Sequence, residues 1–217
     1  MLECLNDFGM KWDSVCKMCR REGKKLFLKG ERCYSSKCPM VKRKYPPGIH
    51  GPKGYGRLSE YGLQLREKQG LKRSYGIGER QMKSYFNKAK KKTGNVGLIL
   101  LKFLEKRLDN VVYRAGFASS RRGARQIISY GNILVNARRV DIPSYQVKIG
   151  DVIEPKKKKR IIEKISQQLS SKKSEELGSR WFSLDRKEMK IKIITEPDAE
   201  DFPKDFDTSL VVEFYSR

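Results

Sequence analysis

Long apolar runs are missing from this chain of 217 residues: the best stretch, Val96 to Leu104, is interrupted by Lys102. A membrane span needs ~20 consecutive apolar residues, so the sequence predicts a soluble, cytoplasmic protein with no membrane partner. Histidine is nearly absent, with a single His50, and no G-x-x-x-x-G-K-[ST] phosphate loop occurs. General acid/base work and nucleotide hydrolysis therefore lack their usual groups. The carboxylates are scattered among bases or gathered near the end of the chain, which favours ion pairing over catalysis, and no enzyme or small-molecule substrate is expected. Acidic residues are themselves scarce, 25 against 49 Lys and Arg, for a formal net charge of +24. A surface of that sign repels itself unless a polyanion covers it. Nucleic acid is the expected partner.

The positive charge is unevenly spread. Residues 16–92 hold 23 Lys and Arg against 5 Glu, whereas residues 196–217 hold 7 acids against 2 bases. The acidic segment around Glu196, Asp198, Glu200 and Asp201 should turn away from phosphate and meet a protein. A basic membrane-surface helix fits poorly, because the cations lie in loops and several helices.

Four of the five cysteines stand at C-x2-C-x13-C-x4-C, as Cys16, Cys19, Cys33 and Cys38. Two thiolates two residues apart grip one tetrahedral ion from a single turn, and a second pair after a loop completes the shell, so one structural zinc per chain is expected. An iron–sulfur cluster is the alternative occupant, and reduced thiols or two disulfides are the metal-free ones. No secretory signal precedes the array, which argues against disulfides. Cys4 falls outside the spacing.

Residues 1–15 form an unpatterned extension. Beyond the cysteines, Lys42 to Gly56 is rich in Pro and Gly, which forbids regular structure and predicts a segment held by an outside surface. Its cations Lys42, Arg43, Lys44, Lys53 and the following Arg57 alternate with Tyr45, His50 and Tyr55, offering phosphate a charge and a base a flat ring. Ser59 is the candidate N-cap of a basic helix carrying Arg66, Lys68 and Lys72, and Arg80 and Lys83 belong to a second, from Glu79 to Lys92. Asn95 precedes the most apolar helix, Val96 to about Ala115.

From Ala118 the wheel places Ala124, Ile127 and Ile128 on one side, and Arg121, Arg122, Arg125, Gln126 and Ser129 on the other. One side packs and the other reaches phosphate. Gly131 ends this helix, and ILVN, RVDI, SYQV and DVIEP read as short strands. Lys156 to Arg160, expected to contact phosphate beside the arginine face in preference to serving as a nuclear-localisation run, lead into a helix from Ile161 to about Leu169, residues 170–179 are a polar linker, MKIKIIT is a strand after a turn, and LVVEFYSR reads as a closing strand. The fold class is α+β: a metal-stapled, mostly helical domain over 16–106, with 196–217 packing back on it, and a small α/β module over 107–195 in which helices dock on a short antiparallel sheet.

RLDNVVYRAGFASSRRGARQIISYGNILVNARRVDIPSYQVKIGDV, Arg107 to Val152, resembles the small RNA-binding module of the small-subunit ribosomal protein four family. VCKMCRREGKKLFLKGERC, KYPPGIHG, LSEYGLQLREKQ, GIGERQ and VVEFYSR extend that resemblance from Val15 to Arg217, and the four-cysteine spacing is similar to the zinc-binding bacterial version. Asn132 and Ala137 stand where the family pattern has His and Gly. The resemblance implies a primary binder of small-subunit ribosomal RNA that nucleates assembly of the subunit body. It also implies a place near the messenger RNA entry channel, contact with small-subunit ribosomal protein five, and an influence on decoding accuracy; some members repress their own operon. Arg20, Arg21, Arg107, Tyr113, Arg114, Asn136 and Arg138 join the residues above as RNA-binding candidates. An RNA-modifying enzyme or RNA chaperone with the same module is the alternative, and a DNA-binding zinc protein is a third class.

Overall fold

A computed structural model describes residues 15–171 and 179–217. The N-terminal extension with Cys4, and most of the polar linker, lie outside the described residues. What is described divides into two units, residues 15–84 with 205–217, and residues 85–204.

In the first unit the helices are α1 (Val15–Glu22), α2 (Pro39–Lys42), α3 (Glu60–Tyr75), the start of α4 (Glu79–Lys90) and α9 (Thr208–Ser216). Helix α3 begins where the sequence puts it, because the Ser59 hydroxyl accepts the Gly62 amide at 3.2 Å; such a cap satisfies one of the four orphan amides of a helix start. It ends at Gly76 in the left-handed conformation. The chain end departs from expectation. LVVEFYSR is not a strand but most of α9, because the Asp207 carboxylate accepts the Ser209 amide at 2.8 Å as N-cap. Residues Leu210, Val211 and Phe214 then recur at helical spacing, and α9 lies along α3, where Gln64 donates to the Glu213 carboxylate at 2.9 Å.

The second unit runs through α5 (Val96–Glu105), α6 (Leu108–Arg114), α7 (Arg121–Ser129), the strands β1 (Ile133–Val135), β2 (Arg138–Arg139) and β3 (Val152–Pro155), then α8 (Lys159–Ser171), β4 (Phe182–Asp185) and β5 (Lys190–Ile193). The apolar stretch expected as one helix is two. Arg107 is extended between α5 and α6, and the break lets Leu108 N–H donate to the Tyr145 carbonyl and Val147 N–H to that of Lys106, both at 2.9 Å.

The sheet is antiparallel throughout, in the order β2-β1-β3-β5-β4. RVDI and SYQV contribute only β2 and a single bridge from Gln146 to Arg107, while Phe182–Asp185, expected as a turn, pairs with Lys190–Ile193 as a hairpin. The core joins Leu108, Val112, Phe117, Ala124 and Ile128 from α6, α7 and their link to Ile133, Ile153 and Ile191 on the sheet, with Trp181 and Ile165 closing it. Among the described residues no helix is long and apolar enough to cross a membrane.

Candidate nucleic-acid interface

Helix α7 is built to show arginines. Ser120 caps it by accepting the Gly123 amide at 3.2 Å, and Ala124 and Ile128 bury its inner side, leaving Arg122 and Gln126 exposed. Arg121 and Arg125 stand beside them but are tethered inward. The Arg125 Nε donates to Asp109 Oδ2 at 2.7 Å; the Arg121 Nε donates to Asn110 Oδ1 at 2.9 Å, with its guanidinium 4.7 Å from the centre of the Tyr113 ring. Arginine carries five donors in a fixed fork, so a tether at Nε orients the whole group.

Behind that face lies a charged interior that the sequence did not reveal. Asp109, 1% exposed, is gripped by Arg107 through Nε–Oδ1 at 3.0 Å and a second bond to Oδ2 at 2.7 Å. Arg107 also donates to the Tyr85 hydroxyl at 2.8 Å. Arg107 is only 2% exposed, which corrects its place among the RNA-binding candidates: its guanidinium is spent inside the fold. Asn110 donates to Glu105 at 2.6 Å, and Arg114 pairs with the same carboxylate at 2.7 Å while reaching the Asp201 carbonyl. Arg114 thus braces α6. A charge left alone at such burial would be strongly unfavourable, so the carboxylates and arginines require one another.

The β1–β2 turn is two residues long, with Asn136 at φ 50° and Ala137 at φ 63°. Asn136 is a turn residue, since its amide donates to Asp151 Oδ1 and its oxygen accepts the Val152 amide, both at 2.9 Å. Arg138 beyond it is exposed.

In the first unit the Pro/Gly segment is clasped from within the fold. Arg20 donates from its Nε to the Tyr45 carbonyl at 2.9 Å and from a terminal nitrogen to that of Pro46 at 3.0 Å, with its guanidinium over the Tyr45 ring. The Tyr55 hydroxyl returns to the Arg20 carbonyl. Arg20 and Tyr45 therefore serve as a clasp, and Lys42, Arg43, Lys44, His50, Lys53 and Arg57 project from the segment it holds, with Arg21 exposed on α1. Beneath them the Glu22 carboxylate is pushed up by burial against the opposing pull of Arg66 and Arg73.

A second cluster fixes α9. Lys68, 4% exposed, and Lys72 each donate to Glu79 at 2.9 Å, and the Tyr215 hydroxyl does so at 2.8 Å. Burial alone would raise the Glu79 carboxyl, but these three hydrogen bonds outweigh it and bring it down to about 2. Lys68 is consequently a buried structural cation, its ammonium 4.2 Å from the centre of the Phe214 ring, whereas Arg80 and Lys83 on α4 are exposed.

The cysteines share one neighbourhood. Cys19, Cys33 and Cys38 are buried and Cys16 half-buried, and the Lys29 amide donates to Cys33 Sγ at 3.3 Å, the kind of bond that supports a thiolate. Burial pushes the Cys19 thiol up to about 11, and Cys33, Cys16 and Cys38 raise it further by proximity. Among the described residues no group of three or more His, Cys, Asp or Glu side chains is disposed to hold a metal ion.

Known proteins settle the class. The family described as ribosomal protein S4/S9 N-terminal domain matches residues 12–105, and that described as S4 domain matches residues 106–153. The small ribosomal subunit protein uS4 of Thermus thermophilus is 55% identical over 203 residues, covering 94% of this chain and 97% of its own. The chain belongs to the uS4 family. Other members include those of Thermodesulfovibrio yellowstonii, 50% identical over 205 residues covering 94% of this chain and 97% of that one, and Syntrophomonas wolfei, 47% over 209 residues covering 96% and 100%.

Within this uS4-family chain the acidic segment is engaged internally. Glu196 pairs with Lys106 at 2.8 Å, and that bond lowers its carboxyl. Asp198 and Asp201 form a reciprocal cap, Asp201 also accepts from Ser179 at 3.0 Å, and Glu200 pairs with Arg180. The supporting residues missed from sequence, Glu105, Asp109 and Asn110, carried one signal: polar side chains inside the strongest apolar pattern of the chain.

Proposed function

We propose that the protein is a structural constituent of the small ribosomal subunit, without catalysis, that binds ribosomal RNA in the cytoplasmic ribosome and nucleates assembly of the subunit body. The observation that carries this reading is identity of 55% with a uS4 protein over 94% of the chain. The physics agrees with it. Arg122, Gln126 and Arg138 on the second unit, and the exposed cations of Lys42 to Arg57 on the first, offer many phosphate contacts, which supply affinity, while Tyr55 and His50 supply rings for unpaired bases. Arg121 and Arg125 take part as oriented donors.

Zinc belongs to the same proposal. Cys16, Cys19, Cys33 and Cys38 would hold one ion as thiolates, whose role there is to staple a region with few apolar residues. The acidic residues Glu196, Asp198, Glu200 and Asp201 would face small-subunit ribosomal protein five at an interface that influences decoding accuracy, with messenger RNA near the entry channel. Competition at matched salt tests the central reading: a small-subunit rRNA transcript should displace duplex DNA from the protein, and equal competition by the two would make it a general polyanion binder.

A further inference from the structure

Beyond the arginines of α7, at the helix's other end, stands an aromatic residue that the fold does not use. Tyr130 is 62% exposed, and its side chain has no hydrogen-bond or ring partner among the described residues. An exposed tyrosine alone means little. Its surroundings give it a meaning. The next residue, Gly131, turns the chain at φ 63° and is crossed by Arg139 from β2 so closely that any Cβ there would overlap the guanidinium. One residue later the Asn132 carbonyl accepts the Lys156 amide at 2.8 Å. Lys156 opens a run of five exposed cations, ending at Arg160. The carboxylate paired with Arg139, that of Asp141, is 3.8 Å away, and both groups are more than half exposed.

The electrostatics of this end of the unit are one-sided. The C-terminus of α7 carries a partial negative charge, worth about half an electron, and six cations, Arg139 from β2 and the five from Lys156 to Arg160 that lead into α8, outweigh it. The first turn of α8, which begins at Lys159, adds partial positive charge of its own. A flat ring beside a dense anion-binding run matches a nucleotide in both its parts: an unstacked base for the ring and the flanking phosphates for the lysines. A basic protein partner would be repelled, and an acidic one would leave the ring without a reason.

We propose that Tyr130, Arg139 and the run Lys156–Arg160 form a second RNA contact, in which the Tyr130 ring stacks on an unpaired base while the cations hold the phosphates on either side of it. This rests on the ribosomal RNA reading and adds to it a site for single-stranded nucleotide, separate from the face of Arg121, Arg122 and Arg125.

Three variants test it in salt titrations of binding to a full small-subunit rRNA transcript: Tyr130→Ala, Tyr130→Phe, and Lys156→Gln, Lys157→Gln and Lys158→Gln combined. Tyr130→Ala should bind roughly ten-fold more weakly with its salt slope unchanged, as loss of one stacked base predicts. Tyr130→Phe, which keeps the ring, should stay within about two-fold of wild type. The lysine variant should lower the slope by about two, at ~0.7–0.9 per lost phosphate contact. Because these side chains have no partners among the described residues, thermal melts should be unchanged and serve as the fold control. Wild-type binding with all three variants indistinguishable from it would overturn the contact and leave the ribosomal reading standing. Variants that bind RNA normally but fail to enter the subunit would assign the patch to a protein and overturn the contact equally. A wild-type protein with no preference for the transcript over duplex DNA would overturn both.

Discussion

A guanidinium at 2% exposure, such as that of Arg107, is tolerated only where a carboxylate meets it in bidentate geometry. Asp109 does this while also holding Arg125, so one buried acid sets the position of a surface donor. Two neighbouring substitutions should therefore behave in opposite ways. Asp109→Ala leaves Arg107 buried without its partner and should cost about 3–5 kcal/mol in denaturant unfolding. Arg122→Ala, at an exposed position, should change stability by no more than about 0.5 kcal/mol yet lower the salt slope of RNA binding by about 0.7–0.9. Equal stability of the two variants would contradict the network. Ala137 sits at φ 63° with no side-chain hydrogen bond to support it, unlike its neighbour Asn136, and that conformation costs an L-residue about 1–2 kcal/mol. Glycine would remove that cost and give back roughly 0.5–1 kcal/mol in chain entropy. Ala137→Gly should thus raise stability by about 0.5–1 kcal/mol, read as an upward shift in the melting midpoint.

Among the elements, α9 depends most visibly on charge. The Glu79 carboxyl, lowered to about 2 by Lys68, Lys72 and Tyr215, has a folded value below its ordinary 4.5. A depressed acid of this kind contributes stability that is fully present above the ordinary value and is lost as pH falls toward the folded one. Attachment of α9 to α3 should accordingly weaken between pH ~4.5 and ~2, seen as faster amide exchange in Thr208–Ser216, and Glu79→Gln should loosen it already at pH 7. Unchanged protection in the variant would show that Phe214 and Val211 packing holds the helix alone. The helix starts at Ser59 and Asn95 were legible in the sequence because a cap is a local device. The break at Arg107 was not, since Leu104 and Leu108 continue the apolar spacing across it. Neither was α9, whose Val-Val-Glu-Phe-Tyr run suits a strand until Asp207 caps it. The arginine side of α7 was readable from its wheel; the inward tethers were not, because Asp109 and Asn110 come from another helix.

Across the whole molecule apolar burial is unevenly distributed. The unit of residues 85–204 has a continuous apolar core from Leu108 to Ile193, whereas around the cysteines the smaller cluster among the described residues joins Leu26, Met40 and partly buried Leu28 and Phe206 to Cys19 and Cys38. A structural zinc contributes roughly 10–16 kcal/mol of apparent binding energy in small modules, enough to replace a missing core. Elemental analysis of reduced protein should find one zinc per chain, and chelation should unfold the cysteine region while residues 107–195 keep their amide protection. Cys33→Ser with full zinc would contradict the four-thiolate site. On the ribosomal reading, the cations of both units bind one kind of polymer. Crosslinking in living cells followed by sequencing of the bound RNA tests that most directly. Reads concentrated in small-subunit ribosomal RNA, and depleted there when Arg121, Arg122 and Arg125 are changed to Gln, are the predicted result. Reads spread across messenger and transfer RNA in proportion to their abundance would contradict it.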